Sequence, residues 1–425
     1  MIKKLVLKIL KLLERFLQTD AKYLAKGTFW LMLGRIAGML AAFLLSVAYA
    51  RYLFKGVYGD YRYILSLLGM AGIFTLPGMG SSIVRSVARG FSGTFRRGSS
   101  IIFFCSFGIT IVAFAAAFFF LHQQKFGLAL GFAAAAPLIP LVEGLGSWRA
   151  YLNGKKEFRK KTLFNIFIQI FYVAVMLGTV LGIYFLRLSA VSSAAILIAA
   201  YCVGRGLPNI YFFFKTRNEV SKNAPQDPGA IRYGLQLSLS GIPSTMANYL
   251  DAILLYHFLG PASLAVYSFA IALPEQLKAF FGTMVGVGFP KLSAKTVSIE
   301  ESKQIKQTLP LKIIKASLIT AGIVLIYILL APYIYQIFFP RYLESIYLSQ
   351  IFALSLILFP FGVFGTALTA QGSIKKIYIY RIGSPIIQII ALIVLIPIWG
   401  LWGAVLGRLI SRILHYFLLF VLFKA

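Results

Sequence analysis

An all-α integral membrane fold of about twelve transmembrane helices is expected from three observations. The chain has 425 residues, of which 59% are hydrophobic and only 13% charged, more apolar surface than a water-soluble protein of that length can cover. Its apolar residues come in runs of about 20, the length that crosses the hydrocarbon core of a bilayer. Its basic residues recur in short clusters between those runs, and the clusters alternate between rich and poor. Counting a residue near the end of a run with the adjoining gap, thirty-one of the 42 Lys and Arg fall in the N-terminus, alternate gaps and the C-terminus, six in the other gaps, and five deep inside runs. By the positive-inside rule both termini are expected in the cytoplasm; the expected location is the cytoplasmic (inner) membrane.

The elements follow in order. Residues 1–27 place Ile2, Leu5, Val6, Ile9, Leu10, Leu13, Phe16 and Leu17 at helical spacing, with Lys4, Lys8, Lys11 and Arg15 on the opposite face. No uninterrupted apolar core or cleavage site marks a signal peptide. A basic amphipathic helix lying on the lipids of the inner leaflet is expected. Spans are then expected near 28–50, 61–84, 99–121, 127–150, 163–185, 190–213, 233–257, 262–290, 310–331, 346–370, 377–396 and 400–423. Short loops make consecutive spans antiparallel neighbours.

The chain also repeats itself. Arg51–Tyr61 resembles His257–Tyr267, each running from an aromatic-Leu pair to a Tyr nine residues on. Leu152–Lys156 resembles Ala370-Gln371-Gly372 with Lys375 and Lys376. Val203-Gly204-Arg205 resembles Leu406-Gly407-Arg408. The offsets of 206, about 218 and 203 agree well enough to indicate duplication of a six-span unit. Six spans preserve orientation, so the units are parallel repeats about an axis along the membrane normal. The expected domains are the 1–27 helix, a 28–213 lobe, a 214–232 linker and a 233–425 lobe.

Ionisable residues inside spans carry most of the functional signal, because a charge in hydrocarbon is costly. Arg35, Glu143, Arg205, Asp251, Glu275, Lys278, Arg408, Arg412 and His415 qualify. Arg408, Arg412 and His415 are spaced i, i+4, i+7 and share one helix face. Arg35, Arg205, Lys278, Arg408 and Arg412 are the candidate substrate-binding residues, lining a cationic cavity open to the cytoplasm. Arg35 and Arg205 lie close enough to the surface to snorkel instead. Glu275 and Lys278, three apart, are placed to pair with each other. Asp251 and Glu143 are the candidate coupling-ion residues, each with the alternative of a structural counter-ion to an arginine.

A cationic cavity suggests an anionic cargo, since guanidinium forks match phosphate and pyrophosphate. Several classes are excluded. Nucleic-acid binders gather their basic residues on one face. No Walker sequence supports ATP hydrolysis. Cys105 and Cys202 sit inside apolar runs without a metal or disulfide pattern. No extracytoplasmic gap exceeds about fifteen residues, too short for the outer domain of a membrane glycosyltransferase or polymerase. No enzyme activity and no cofactor are expected.

Lys26-Gly27-Thr28-Phe29-Trp30, Leu33-Gly34-Arg35-Ile36, Ala50-Arg51-Tyr52-Leu53 and Tyr58-Gly59 resemble the first hairpin of the polysaccharide-biosynthesis flippases. These belong to the multidrug/oligosaccharidyl-lipid/polysaccharide exporter superfamily. Asp251 with Leu254-Leu255, Phe258-Leu259-Gly260 and Val266-Tyr267 is similar to its seventh and eighth spans. Gln371-Gly372, Lys375-Lys376, Ile396-Pro397 and Gly400-Leu401-Trp402-Gly403-Ala404 follow its tenth-to-twelfth-span pattern. The resemblance runs over nearly the whole chain. It implies two six-helix lobes around a central cavity, working by alternating access on a polyprenyl-pyrophosphate-linked oligosaccharide. A proton or sodium is the candidate coupling ion, and the polymerase and glycosyltransferases of the same pathway are candidate partners. Two departures stand out. The superfamily's lipid II flippases have two further C-terminal spans, whereas this chain stops at Ala425. The eleventh span has no acid to join Asp251 in a sodium site. The rival reading within the superfamily is a multidrug or organic-cation antiporter, which would present acids to its cavity.

Overall fold

The computed structural model describes residues 21–294, 299–370 and 374–424, and it is helical throughout, with no strand among the described residues. The first 20 residues of the amphipathic segment, and the Gln371-Gly372 pair, lie outside the described residues; Ala21 begins the helix whose stretch Phe29–Tyr52 is the first span.

Four spans are single helices: Ala21–Tyr52, Thr94–His122, Phe158–Phe185 and Ala190–Asn218 are the first, third, fifth and sixth. The second span is broken. Lys55–Ala71 and a short 3-10 turn are followed, at a 47° bend, by Gly78–Ala88. The break sits at Leu76-Pro77, where Pro77 cannot donate to the helical ladder and Leu76 takes a left-handed φ of 54°. The fourth span is broken in the same way. Phe126–Ala135 meets Ile139–Glu143 and Trp148–Gly154 at a 49° bend around Pro137 and Pro140.

The remaining spans are longer or composite. Ala230–Ala294 is 65 residues, far beyond one crossing, and it turns at Gly260, whose φ of 79° suits a residue without Cβ. Its two arms are the seventh and eighth spans. Ile299–Phe338 is the ninth. The tenth joins Ser345–Leu354 to Gly362–Ala370 through a 3-10 stretch, Ser355–Phe361. Ile374–Lys424 turns at Gly400, with φ 57°, into the eleventh and twelfth. The outcome is about twelve spans, as the hydropathy pattern implies. Large apolar side chains such as Phe104, Phe118 and Ile319 project outward, Phe118 at 75% exposure, which suits a lipid-facing surface.

After an even number of crossings the first and last described residues, Ala21 and Lys424, lie at one end of the bundle, the terminal end. The second span runs beside the seventh along its length and ties the first six spans to the last six. At the opposite end a Cβ on Gly59 would overlap the Pro261 carbonyl. The Tyr256 hydroxyl donates to Asp60 at 2.6 Å, and Tyr256 stacks on Tyr63 with centroids 4.0 Å apart. Near the terminal end the Gly78 amide donates to Ser238 Oγ at 3.0 Å and Ser82 Oγ donates to the Ala230 carbonyl at 2.6 Å. At the terminal end itself Ser86 Oγ donates to Asp227 at 2.8 Å. A second tie closes the opposite end. Arg51 donates to the Ile337 carbonyl at 2.7 Å, Arg341 donates to the Leu53 carbonyl at 3.2 Å, and Lys55 pairs with Glu344.

Candidate functional site

Depth decides which buried charges can meet. Asp251 lies nine residues before the turn at Gly260 and Arg408 eight after the turn at Gly400. At 1.5 Å per residue both sit about 12–14 Å from the opposite end. They form an ion pair, Arg408 Nη2 to Asp251 Oδ2, at 2.7 Å. Asp251 is 2% exposed, and the rest of its carboxylate is taken up by the Tyr267 hydroxyl and by the Ala252 amide at 2.9 Å. Arg408 also donates to the Asn248 carbonyl at 3.2 Å.

A layer closer to the terminal end is built around Glu275. Its Oε1 pairs with Arg412 Nη2 and lies 3.5 Å from Arg408 Nη1; its Oε2 lies 3.4 Å from Lys278 Nζ. Arg412 spends its other amino group on Ser355 Oγ at 2.6 Å, at the start of the 3-10 stretch, and stacks over Phe352 at 4.5 Å. Lys278, Arg408, Arg412 and His415 all line one cavity of about 560 Å³, with Arg381, Tyr380, Gln388 and several serines. Arg381 pairs with no carboxylate among the described residues. Four cations thus stand against Glu275 on the wall and Asp251 behind it.

Glu275 also lines a second cavity, of about 490 Å³, between the first and last six spans. Six tyrosines from five spans surround it: Tyr49, Tyr58, Tyr61, Tyr172, Tyr201 and Tyr249. Glu143, Arg62 and Arg205 complete the wall. Arg205 lies over the rings of Tyr172 and Tyr201, at 4.6 and 5.2 Å, a cation–π arrangement. Its buried Nε has no hydrogen-bond partner among the described residues. Arg62 donates to Ser268 Oγ at 3.3 Å. Arg35 lines a third cavity of about 530 Å³ with Lys161, Asn165, Gln169 and Gln276, and this one shares Gly38, Gln169 and Gln276 with the chamber of tyrosines. The candidate residues therefore fall on or behind three adjacent cavities that share wall residues. Lys278, Arg408 and Arg412 form one group with Asp251 behind them; Arg205 and Glu143 share the middle; Arg35 stands apart near the terminal end.

Four features of the site escaped sequence reasoning, the first being Arg381, which lies five residues into the eleventh span and reads as part of the basic cluster before it. Arg62 sits only seven residues into the second span and reads there as part of the flanking basic cluster. Arg149 does the same at the end of the fourth span, yet it is held by Asn165 at 2.9 Å and Asn209 at 3.1 Å and stacks on Trp148. The tyrosine lining left a signal that could have been used. Tyrosines favour the membrane interface, so Tyr172, Tyr201 and Tyr249 well inside spans ask for a polar surrounding.

The match with known proteins covers most of the chain. The family described as polysaccharide biosynthesis protein matches residues 24–294. A putative O-antigen transporter of Shigella flexneri is 23% identical, over 93% of this chain and 96% of the relative. Among solved structures, the lipid II flippase MurJ in an inward closed conformation superposes with a TM-score of 0.67 at 15% identity, covering 94% of this chain and 88% of that one. An inward-facing multidrug resistance transporter of the MATE family gives 0.61 at 15%, covering 91% and 94%. At such identities the two structures show a shared fold.

Proposed function

This chain belongs to the polysaccharide biosynthesis protein family, and we propose that, as a flippase of that family, it moves a polyprenyl-pyrophosphate-linked oligosaccharide from the cytoplasmic to the outer leaflet. Its relatives are transporters and flippases rather than enzymes. The observation that carries the cargo class is the cavity in which Lys278, Arg381, Arg408 and Arg412 outnumber the carboxylates. Guanidinium groups take a diphosphate by bidentate, charge-assisted hydrogen bonds. The adjoining tyrosine chamber gives sugar rings aromatic faces and hydroxyls to rest on. An exporter of organic cations would need the opposite balance of charge.

The work is divided among the parts as follows. Spans one to six and seven to twelve act as two lobes. The tie of Arg51, Lys55 and Leu53 to Ile337, Arg341 and Glu344 is the outer gate. Arg35 and the third cavity meet the head group on the cytoplasmic side. Asp251, saturated by Arg408, Tyr267 and the Ala252 amide, serves as a counter-ion rather than as a coupling-ion ligand. Export of a negative head group then draws on the membrane potential itself, which contributes about 2.3 kcal/mol per charge per 100 mV.

Two experiments test this reading. Single cysteines at Lys155 and Lys125, with Cys105 and Cys202 replaced, should label from the cytoplasmic and outer sides respectively. Labelling with the sides exchanged would reverse the direction of transport and sink the proposal. In reconstituted vesicles, Arg412→Gln should cut flipping by at least about tenfold, because Arg412 and its pairing with Glu275 lie at the centre of the site; wild-type flipping in this variant would remove the cation site from the mechanism.

A further inference from the structure

Glu275 is the one carboxylate among the described residues that lines both the cationic cavity and the tyrosine chamber. It receives three cations at once. Arg412 and Arg408 approach Oε1 and Lys278 approaches Oε2. Two guanidinium groups and an ammonium converging on one small anion is the arrangement that proteins use for phosphate groups.

Its surroundings separate it from Asp251. The Asp251 carboxyl is 2% exposed and boxed in by Arg408, Tyr267 and its neighbouring amide. The Glu275 side chain is 31% exposed, opens onto both cavities and, among the described residues, accepts from no backbone amide. If Glu275 left, Arg408 would keep Asp251, but Arg412 and Lys278 would have no carboxylate among the described residues. A cavity with that much uncompensated charge in a low-dielectric bundle is costly, so an empty site needs an anion of its own.

We infer that Glu275 is the resident counter-ion of this site, occupying in the empty carrier the place that the diphosphate of a bound head group takes. This rests on the flippase reading above and adds a basis for selectivity. A single negative charge merely exchanges for the carboxylate and gains little. A diphosphate brings more charge and more acceptor oxygens than the carboxylate it displaces, so it wins where singly charged membrane phospholipids do not. Displacement also releases the eighth span, which carries Glu275, from the twelfth, which carries Arg408 and Arg412. Head-group binding is thereby linked to relative movement of two spans that line the cavity.

The test uses the full chain in lipid nanodiscs, with inorganic pyrophosphate as the probe and chloride and phosphate at matched ionic strength as controls. Glu275→Gln should unfold at a lower temperature than wild type. Pyrophosphate should restore that temperature by more than it raises the wild type's, and should bind the variant about tenfold more tightly or better. Glu275→Asp, whose shorter carboxylate reaches the three cations less well, should shift the same way and serves if the Gln variant does not fold. A variant whose stability and pyrophosphate binding are no more responsive than wild type overturns the inference, as does an absence of pyrophosphate binding in every form. Arg412→Gln separates the two levels of argument. If it loses pyrophosphate while Glu275 variants gain nothing, only the role of Glu275 falls. If it binds pyrophosphate like wild type, the cationic-site reading falls as well.

Discussion

Arg408→Gln removes the positive partner of the most deeply buried carboxylate described, Asp251. At the 2.7 Å separation of the pair, and with an effective dielectric constant of about 20, the direct attraction is about 6 kcal/mol. The net loss is smaller, since both groups were desolvated on folding, and breaking such a pair on one side costs about 3–5 kcal/mol. The two sides are not equivalent. Among the described residues, Asp251 without Arg408 keeps Tyr267 and an amide, with no second cation. Arg408 without Asp251 keeps Glu275 at 3.5 Å and the Asn248 carbonyl. Arg408→Gln should therefore destabilise more than Asp251→Asn, and the double variant should recover at least half of the larger loss. Thermal unfolding of the purified chain in detergent reads this as a drop of about 3–6 °C for Arg408→Gln, given an unfolding entropy of about 0.9 kcal/mol/K for 425 residues. Unfolding of Arg408→Gln within a degree of wild type would refute the reasoning, as would a double variant whose loss is the sum of the two singles.

Other perturbations follow from the same geometry. Gly59→Ala should lower the unfolding temperature and the folded yield, because its Cβ would overlap the Pro261 carbonyl, an overpacking cost of about 1–3 kcal/mol; Gly80→Ala, whose Cβ meets nothing within 4 Å, should not. Asp227, in the loop before the seventh span, has its pKa lowered by the Ser86 hydrogen bond first, then by the Gly229 amide and by Arg89 and Arg85. That stabilisation is complete above the ordinary carboxylate range and is lost as pH falls through the depressed value. Asp227→Asn should therefore weaken the chain at pH 7 and match wild type in strong acid, as read by unfolding temperature against pH. Cysteines at Lys55 and Glu344, which pair in this structure, should cross-link through a short bifunctional reagent and stop transport until the link is cleaved. Continued transport by the fully linked chain would show that the opposite end need not open.

Much of the fold was legible because a bilayer imposes one dominant constraint. Apolar runs of crossing length must be helices, and the number of runs carries directly to the number of spans. The breaks in the second and fourth spans were less visible. Pro77, Pro137 and Pro140 lie in stretches as apolar as their neighbours, and membrane helices tolerate proline when nearby groups take up the freed carbonyls. For the site, the sequence shows which residues are charged but only the partners on the same helix. Glu275 and Lys278 are three apart, and their pairing follows from spacing. Asp251 and Arg408 are 157 positions apart, and their meeting depends on the equal depths set by the turns at Gly260 and Gly400. The expected duplication offered a partial guide. It matches Arg205 in the sixth span to Arg408 in the twelfth, and each belongs to a tyrosine-containing cluster. Yet Arg205 finds tyrosine faces where Arg408 finds a carboxylate, and no offset in the sequence distinguishes the two.

The cargo assignment is tested most directly in proteoliposomes holding the purified chain and a labelled polyprenyl-diphosphate oligosaccharide. An inside-negative potential is imposed, and accessibility of the sugar to an added glycosidase is followed. Sugar should appear on the outer surface in wild-type vesicles, faster with the potential than without, and with no requirement for a sodium or pH gradient. Arg412→Gln vesicles should stay near the protein-free rate. Failure of the wild type to move the lipid-linked sugar, while the same vesicles exchange an organic cation for protons or sodium, would contradict the proposed cargo and favour the cation antiporter.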